Sequence, residues 1–209
     1  MSRLDDINLK KQILTIIRTD TALNMVNFSA GQFVIGTMHF HILSGYIDIG
    51  RCHCSVNPTG VLKGAAAEYV AGSNTIMAKD SRIQFIDDKI SLVHEATHAV
   101  IDLLGGFNRN MTVTSLETET CAYIAGAMYK QATLQSQKAP VATVTAFSID
   151  QNIHEQADRM VRAKGLGTGS TNAGSPISFS SQEIAALQSA IRTNPLYKSW
   201  KPKVLTDGM

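Results

Sequence analysis

The sequence predicts an α+β protein: a small antiparallel or mixed sheet in the first half, then a helix carrying a dense polar motif, then a mainly helical C-terminal half. Three observations predict it. Leu4, Ile7, Ile13, Leu14 and Ile17 recur at roughly helical spacing, so residues 4–18 read as an amphipathic first helix packed on the core. Residues 33–54, 75–78 and 82–86 read as strands. Residues 90–104, 114–128, 150–164 and 180–193 combine apolar periodicity with helix start and stop signals. At 209 residues, 44% of them hydrophobic and 17% charged, the chain is long enough to bury a core. It is read as a single domain over 1–209, with a helix-plus-sheet region over 1–89 and a helical region over 90–209.

Within the sheet region, Phe33 to Leu43 is a strand candidate, Ser44-Gly45 turns it, and Tyr46 to Cys54 continues as a second strand. Asn57-Pro58-Thr59-Gly60 is a turn. Residues 61–73 are ambiguous between helix and strand, and 75–78 and 82–86 are strands leading into the motif helix. On this reading His39 and His41 share one strand face, as do Cys52 and Cys54. Their one-residue separation is not the two-residue knuckle of structural zinc sites, so they are read as half-exposed histidines and small buried thiols.

In the C-terminal half, Gln135 to Val144 is polar and then β-like, with Pro140 as a breaker. Asp150 to Lys164 is a helix that carries His154 and ends at Gly165. Residues 165–175 are rich in Gly, Ser and Thr. No strand with a phosphate-binding pattern precedes them, so they read as a flexible loop or a flap over a cleft. Ser180-x-x-Glu183 is a capping box opening a last helix to Thr193, stopped by Asn194-Pro195. The tail with Trp200 and Pro202 reads as irregular.

Composition excludes several function classes. The net charge is only +2 with no basic block, so neither nucleic acid nor an anionic membrane is an expected partner. Three cysteines, an odd number, do not make a disulfide framework. No run of 18 apolar residues is present, and Met1 to Asp6 carries early acids without a following apolar run. The expected location is cytoplasmic, or exported without a leader peptide.

The chemistry is concentrated in His94-Glu95-Ala96-Thr97-His98. On a helix the two histidines, four apart, lie on one face and reach one metal ion, while Glu95 beside them can take a proton from a metal-bound water. The motif arises by chance in roughly one chain of this length in a hundred. Here its setting adds weight, because Ile90 to Leu104 reads as one helix, capped by Asp87 or Asp88 and ended by Gly105-Gly106. Catalytic zinc takes three protein ligands and leaves one position to water. An extended motif with Gly at 101 and His at 104 is excluded by Ile101 and Leu104, which leaves a Glu on a following helix. Thr114 to Met128 offers Glu117 and Glu119. Thr114-x-x-Glu117 has the form of a capping box, so Glu119 is the favoured third ligand and Glu117 the alternative.

The segment His94-Glu95-Ala96-Thr97-His98-Ala99-Val100-Ile101-Asp102 resembles the active helix of the thermolysin-type gluzincins, which reads His-Glu-x-Thr-His-Ala-Val-x-Asp. In that family the third ligand is a Glu on the next helix, about twenty residues beyond the second His. Glu119 lies 21 beyond His98, and Glu117 lies 19 beyond. The family's ligand helix reads Asn-Glu-x-x-Ser-Asp. This chain has Thr118-Glu119-Thr120-Cys121-Ala122-Tyr123, with Tyr where the family has an Asp behind the metal ligands. The resemblance implies a minimal, zincin-like metallopeptidase. Zn²⁺ would be held by His94, His98 and Glu119, Glu95 would be the general base, and an edge strand near the motif helix would hold a protein or peptide substrate. Tyr123 and His154 are the candidate donors to the reaction's oxyanion. Asp102 reads equally as a partner of a ligand histidine and as a solvent-facing acid. Two alternatives stay open: a non-catalytic, zinc-stabilised binding or regulatory protein, and a toxin-type effector protease. Oligomeric state is not readable.

Overall fold

The structure, a computed structural model, describes residues 3–61, 66–107, 112–136, 150–166, 175–197 and 204–205. In chain order its elements are α1 (Arg3–Thr19), β1 (Phe28–Ala30), β2 (Phe33–Ile35), α2 (Thr37–Asp48), β3 (His53–Val56), β4 (Ala67–Val70), β5 (Thr75–Ala78), α3 (Ile86–Phe107), β6 (Val113–Thr114), α4 (Ser115–Ser136), α5 (Gln151–Ala163), β7 (Ile177–Phe179), α6 (Ser181–Thr193) and β8 (Val204–Leu205). Mixed α+β architecture is as expected: among the described residues there are six α-helices and two small three-stranded sheets, plus a two-residue pairing of β6 with β8. The chain divides into two compact units, one of residues 1–20, 38–113 and 204–209, the other of 21–37 and 114–203.

The first unit is built on the sheet β3-β5-β4, with β3 parallel and β4 antiparallel to the central β5. Helix α1 forms as expected but buries Leu9, Ile13, Ile16 and Ile17; of the expected face only Ile13 and Ile17 are buried, while Leu4 and Ile7 are exposed. It is tied to the sheet where Val56 N–H donates to Asp6 Oδ1 at 2.7 Å. The expected strands over 33–43 and 46–54 are corrected. After the short β2 the chain enters α2, whose buried residues Phe40, Leu43, Ser44 and Ile47 are spaced three, one and three apart. That spacing makes one helical face. His39 and His41 therefore sit two positions apart on a helix, on different sides rather than on a shared strand face. The expected strand at 82–86 is also corrected: Gln12 accepts from Ile83 N–H at 2.8 Å and donates to Ser81 O, so these main-chain groups are met by a side chain. The 61–73 ambiguity resolves to strand at 67–70, while 62–65 lie outside the described residues. The turn at 57–60 closes as expected, with Gly60 N–H donating to Asn57 Oδ1 at 2.8 Å.

The second unit pairs β1 antiparallel with β2 and parallel with β7. Pairing of Ala30 with Phe33 leaves Gly31-Gln32 as a two-residue turn, and Gly31 supplies the positive φ (60°) that such turns require. Phe28 and Phe179 meet edge to face across this sheet, centroids 6.3 Å apart. Helix α4 opens on the expected capping box, with Thr114 N–H donating to Glu117 Oε2 at 2.8 Å and Glu117 N–H to Thr114 Oγ1 at 3.3 Å. From Thr120 to Tyr129 it is buried on every side, which Ala122, Ala125, Gly126 and Ala127 permit by their small size. Helix α5 packs Ile153, Ala157, Met160 and Val161 inward. Its buried Asp158 is met by Lys130 Nζ at 2.6 Å from α4. The Ser180–Glu183 capping box of α6 forms as predicted. The expected features at Pro140, Gly167, Gly169, Trp200 and Pro202 lie outside the described residues.

Candidate metal centre

Helix α3 begins earlier and ends later than expected. Neither Asp87 nor Asp88 is its cap. Asp88 lies inside the first turn and reaches back to accept from Phe85 N–H at 3.1 Å and Gln84 N–H at 3.3 Å. Gly105 and Gly106 are helical rather than terminal. The burial pattern runs Leu92, Val93, Ala96, Thr97, Ala99, Val100, Ile101 and Leu103 inward. Ser91, His94, Glu95, His98 and Asp102 are left as a half-buried polar stripe at steps of three, one, three and four. Thr97, fully buried within the motif, satisfies its hydroxyl on Val93 O at 2.7 Å.

His94 Nε2 and His98 Nε2 stand 3.3 Å apart, with the rings inclined at 67°. Two ligands bound at about 2.05 Å in a tetrahedral shell are separated by about 3.4 Å, so the nitrogen pair has the spacing of one tetrahedral edge. His94, His98 and Glu119 each offer one ligand atom within 4.8 Å of the others. Among the described residues this is the one group of three or more His, Cys, Asp or Glu side chains that could hold a metal ion. Two imidazoles and one carboxylate are a donor set that zinc accepts, with the fourth place left for water.

Glu95 is held by the sheet. Lys79 N–H donates to Ala66 O at 3.0 Å, which makes that pair hydrogen-bonded across β4 and β5. By antiparallel alternation Glu68–Met77 is hydrogen-bonded and Tyr69–Ile76 is not. Tyr69 N–H therefore points off the outer edge of β4, and Glu95 Oε2 accepts it at 2.7 Å. The same Tyr69 donates its hydroxyl to Asp102 Oδ2 at 2.7 Å, two turns along α3. Asp102 is thus bound to the edge strand, a partner that sequence reading did not name. The edge strand beside the motif helix is β4; the predicted 75–78 strand is the central one.

Around Glu119 the second unit assembles a polar cluster. Tyr197, just beyond α6, donates its hydroxyl to Glu119 Oε2 at 3.1 Å and lies 3.1 Å from the Tyr123 hydroxyl. Tyr123 donates to Asp150 Oδ2 at 2.8 Å, and His154 Nε2 lies 3.1 Å from that same oxygen. Burial first, then the Tyr197 phenol and the Asp150 and Glu119 carboxylates, push the Tyr123 hydroxyl well above its ordinary range. Burial and then Glu119 do the same for Tyr197. Both are neutral phenols, able to donate. The two residues expected at the oxyanion therefore sit together: Tyr123 at 1% exposure and His154 half-exposed beside it. Tyr197 was missed, and the Asn194-Pro195 stop signal preceding it is the one hint of a chain reversal there. Glu117, the alternative ligand, is engaged by its capping box and by Gln32 Nε2 at 3.3 Å.

The cysteines do not form a second centre. Cys52 and Cys54 are pushed up to about 12 by burial foremost, and burial also raises Cys121. Among the described residues no group of three or more possible metal ligands includes a cysteine. Among the described residues no helix is long and apolar enough to cross a membrane. Comparison with known protein families, with curated proteins and with solved structures finds no match.

Proposed function

We propose that the chain is a zincin-like, zinc-dependent metallopeptidase that hydrolyses peptide bonds in a protein or peptide, with His94, His98 and Glu119 as zinc ligands. The observation that carries the reading is the three-residue group, whose two imidazole nitrogens stand at a tetrahedral edge length. Bound there, zinc would supply a water of near-neutral pKa and polarise a substrate carbonyl. Glu95, adjacent to His94 and with Oε1 3.9 Å from His94 Nε2, is the general base. It accepts the water's proton and hands it to the leaving amine. Its bond to Tyr69 N–H holds the carboxylate in place beside His94. Apart from the Tyr69 N–H that Glu95 takes, the outer edge of β4 offers main-chain groups to which an extended peptide can add as a further strand. Of the two oxyanion donors expected from the sequence, Tyr123 is buried and gives its one hydroxyl proton to Asp150, so His154 is the one proposed here.

Elemental analysis of the purified chain tests the reading. The expected result is near one zinc per chain, sharply reduced in Glu119→Ala. In Glu95→Gln, zinc is retained while hydrolysis of a peptide library falls by roughly 10²–10⁴-fold. No zinc in the wild type after adding it back overturns the proposal. Tight zinc with no turnover, and no effect of Glu95→Gln, turns it into a zinc-stabilised binding protein.

A further inference from the structure

We propose that Tyr197 is the positioning residue of the Glu119 carboxylate, held in place by the turn after α6 and by its contact with Tyr123, whose own hydroxyl proton goes to Asp150. The inference rests on the reading of Glu119 as a metal ligand. A glutamate ligand has three rotatable bonds and two equivalent oxygens, so an untethered one spends entropy each time it binds an ion. Here one oxygen, Oε2, accepts the Tyr197 hydroxyl at 3.1 Å, which fixes the carboxylate plane and directs the remaining lone pairs.

A tether works only if its own anchor is fixed, and Tyr197 is fixed at both ends. Its hydroxyl stands 3.1 Å from that of Tyr123, which is itself bound to Asp150 at 2.8 Å. Asp150 is met by His154 at 3.1 Å, and the His154 ring packs edge-on to Tyr123 with centroids 5.1 Å apart. At the main-chain end, Tyr197 N–H donates to Asn194 O at 3.0 Å, and Leu196 N–H donates to Asn194 Oδ1 at 2.8 Å. Asn194, 1% exposed, in turn donates its amide to Asn152 of α5. The turn after α6 is thus pinned by the same helix that carries His154. Groups that hold a metal ligand in this way typically contribute ten- to a hundredfold in metal affinity.

The test is zinc and cobalt(II) affinity, measured by chelator competition in the full chain, for wild type, Tyr197→Phe and Tyr123→Phe. Circular dichroism establishes that each variant is folded. Tyr197→Phe removes one oxygen atom and is expected to weaken both metals about 10–100-fold and to shift the visible absorption of the cobalt form, which reports ligand geometry. Tyr123→Phe, which leaves the Tyr197–Glu119 bond in place, is expected to lose less. Wild-type affinity and an unshifted cobalt spectrum in Tyr197→Phe overturn this inference and leave the metal site standing. A loss in Tyr123→Phe equal to or above that in Tyr197→Phe also overturns it. A wild type that takes up neither metal overturns the ligand reading itself.

Discussion

Helices α3 and α4 are each 22 residues long and carry the proposed ligands, yet they are built on opposite plans. Helix α3 is two-sided: eight apolar or hydroxyl-satisfied positions between Leu92 and Leu103 face inward, and a polar stripe from Ser91 to Asp102 stays half-buried. Helix α4 has no such side between Thr120 and Tyr129. The difference decides how each holds its polar groups. On α3 the acid Glu95 is met by a main-chain N–H from a sheet edge, and the two histidines meet each other. On α4 the first acid, Glu117, is met by the main-chain N–H of its own cap residue, Thr114. Glu119 is met instead by a side-chain hydroxyl 78 positions away in the chain. Glu95 is thus met by the strand beside its helix, and half-buried Glu119 by a donor delivered from far along the chain.

The contrast can be broken by stability measurements. Ile124→Ala, at a fully buried position of α4, is expected to cost about 2–5 kcal/mol in denaturant unfolding. Ile90→Ala, near the start of α3 and 7% exposed, is expected to cost less. Equal losses would remove the distinction between the two helices. A smaller effect sharpens it: Tyr69→Phe deletes the hydroxyl on Asp102 and is expected to cost roughly 1 kcal/mol, with zinc stoichiometry unchanged. If zinc were lost as well, the sheet edge would be holding the histidine pair, and α3 would depend on delivered donors as α4 does.

The smallest effect concerns α6, whose cap lies at the surface. The Ser180 main-chain N–H foremost, then Lys164, hold the Glu183 carboxyl below its ordinary value of 4.5. A lowered folded-state value means that the contribution is complete above 4.5 and is lost as pH falls through the folded value. Glu183→Gln is expected to flatten that acid-side loss slightly in thermal unfolding followed against pH. A steep loss persisting in the variant would place the acid sensitivity elsewhere.

What could be read in advance follows the range of the forces involved. Helices α1, α3, α4, α5 and α6, both capping boxes and the His94–His98 pair are set by residues within a turn or two of each other, so spacing alone reveals them. Helix α2 was misread because Phe33 to Leu43 is apolar and rich in β-branched and aromatic residues at its start, where a short apolar run fits either period. The buried set Phe40, Leu43, Ser44 and Ile47 decides it only once the core is known. Strand β7 is three residues long and gains its partner β1 from nearly 150 positions away, too short and too remote for a local signal. Tyr197 sits in a tail with no periodicity, and its importance comes from Glu119, Tyr123 and the Asn194 turn acting together. The capping role of Glu117 was readable because local geometry sets it.

Tyr69 grips α3 at two points, by its amide on Glu95 and by its phenol on Asp102. A short strand gripped once can slide along its neighbour; gripped twice, it cannot. Slipping β4 by a single residue would bring Glu68 or Val70 to the same place, and neither carries a hydroxyl to reach Asp102. The helix therefore acts as a ruler for the sheet: the strand's alignment is checked from outside it, against marks seven residues apart on α3.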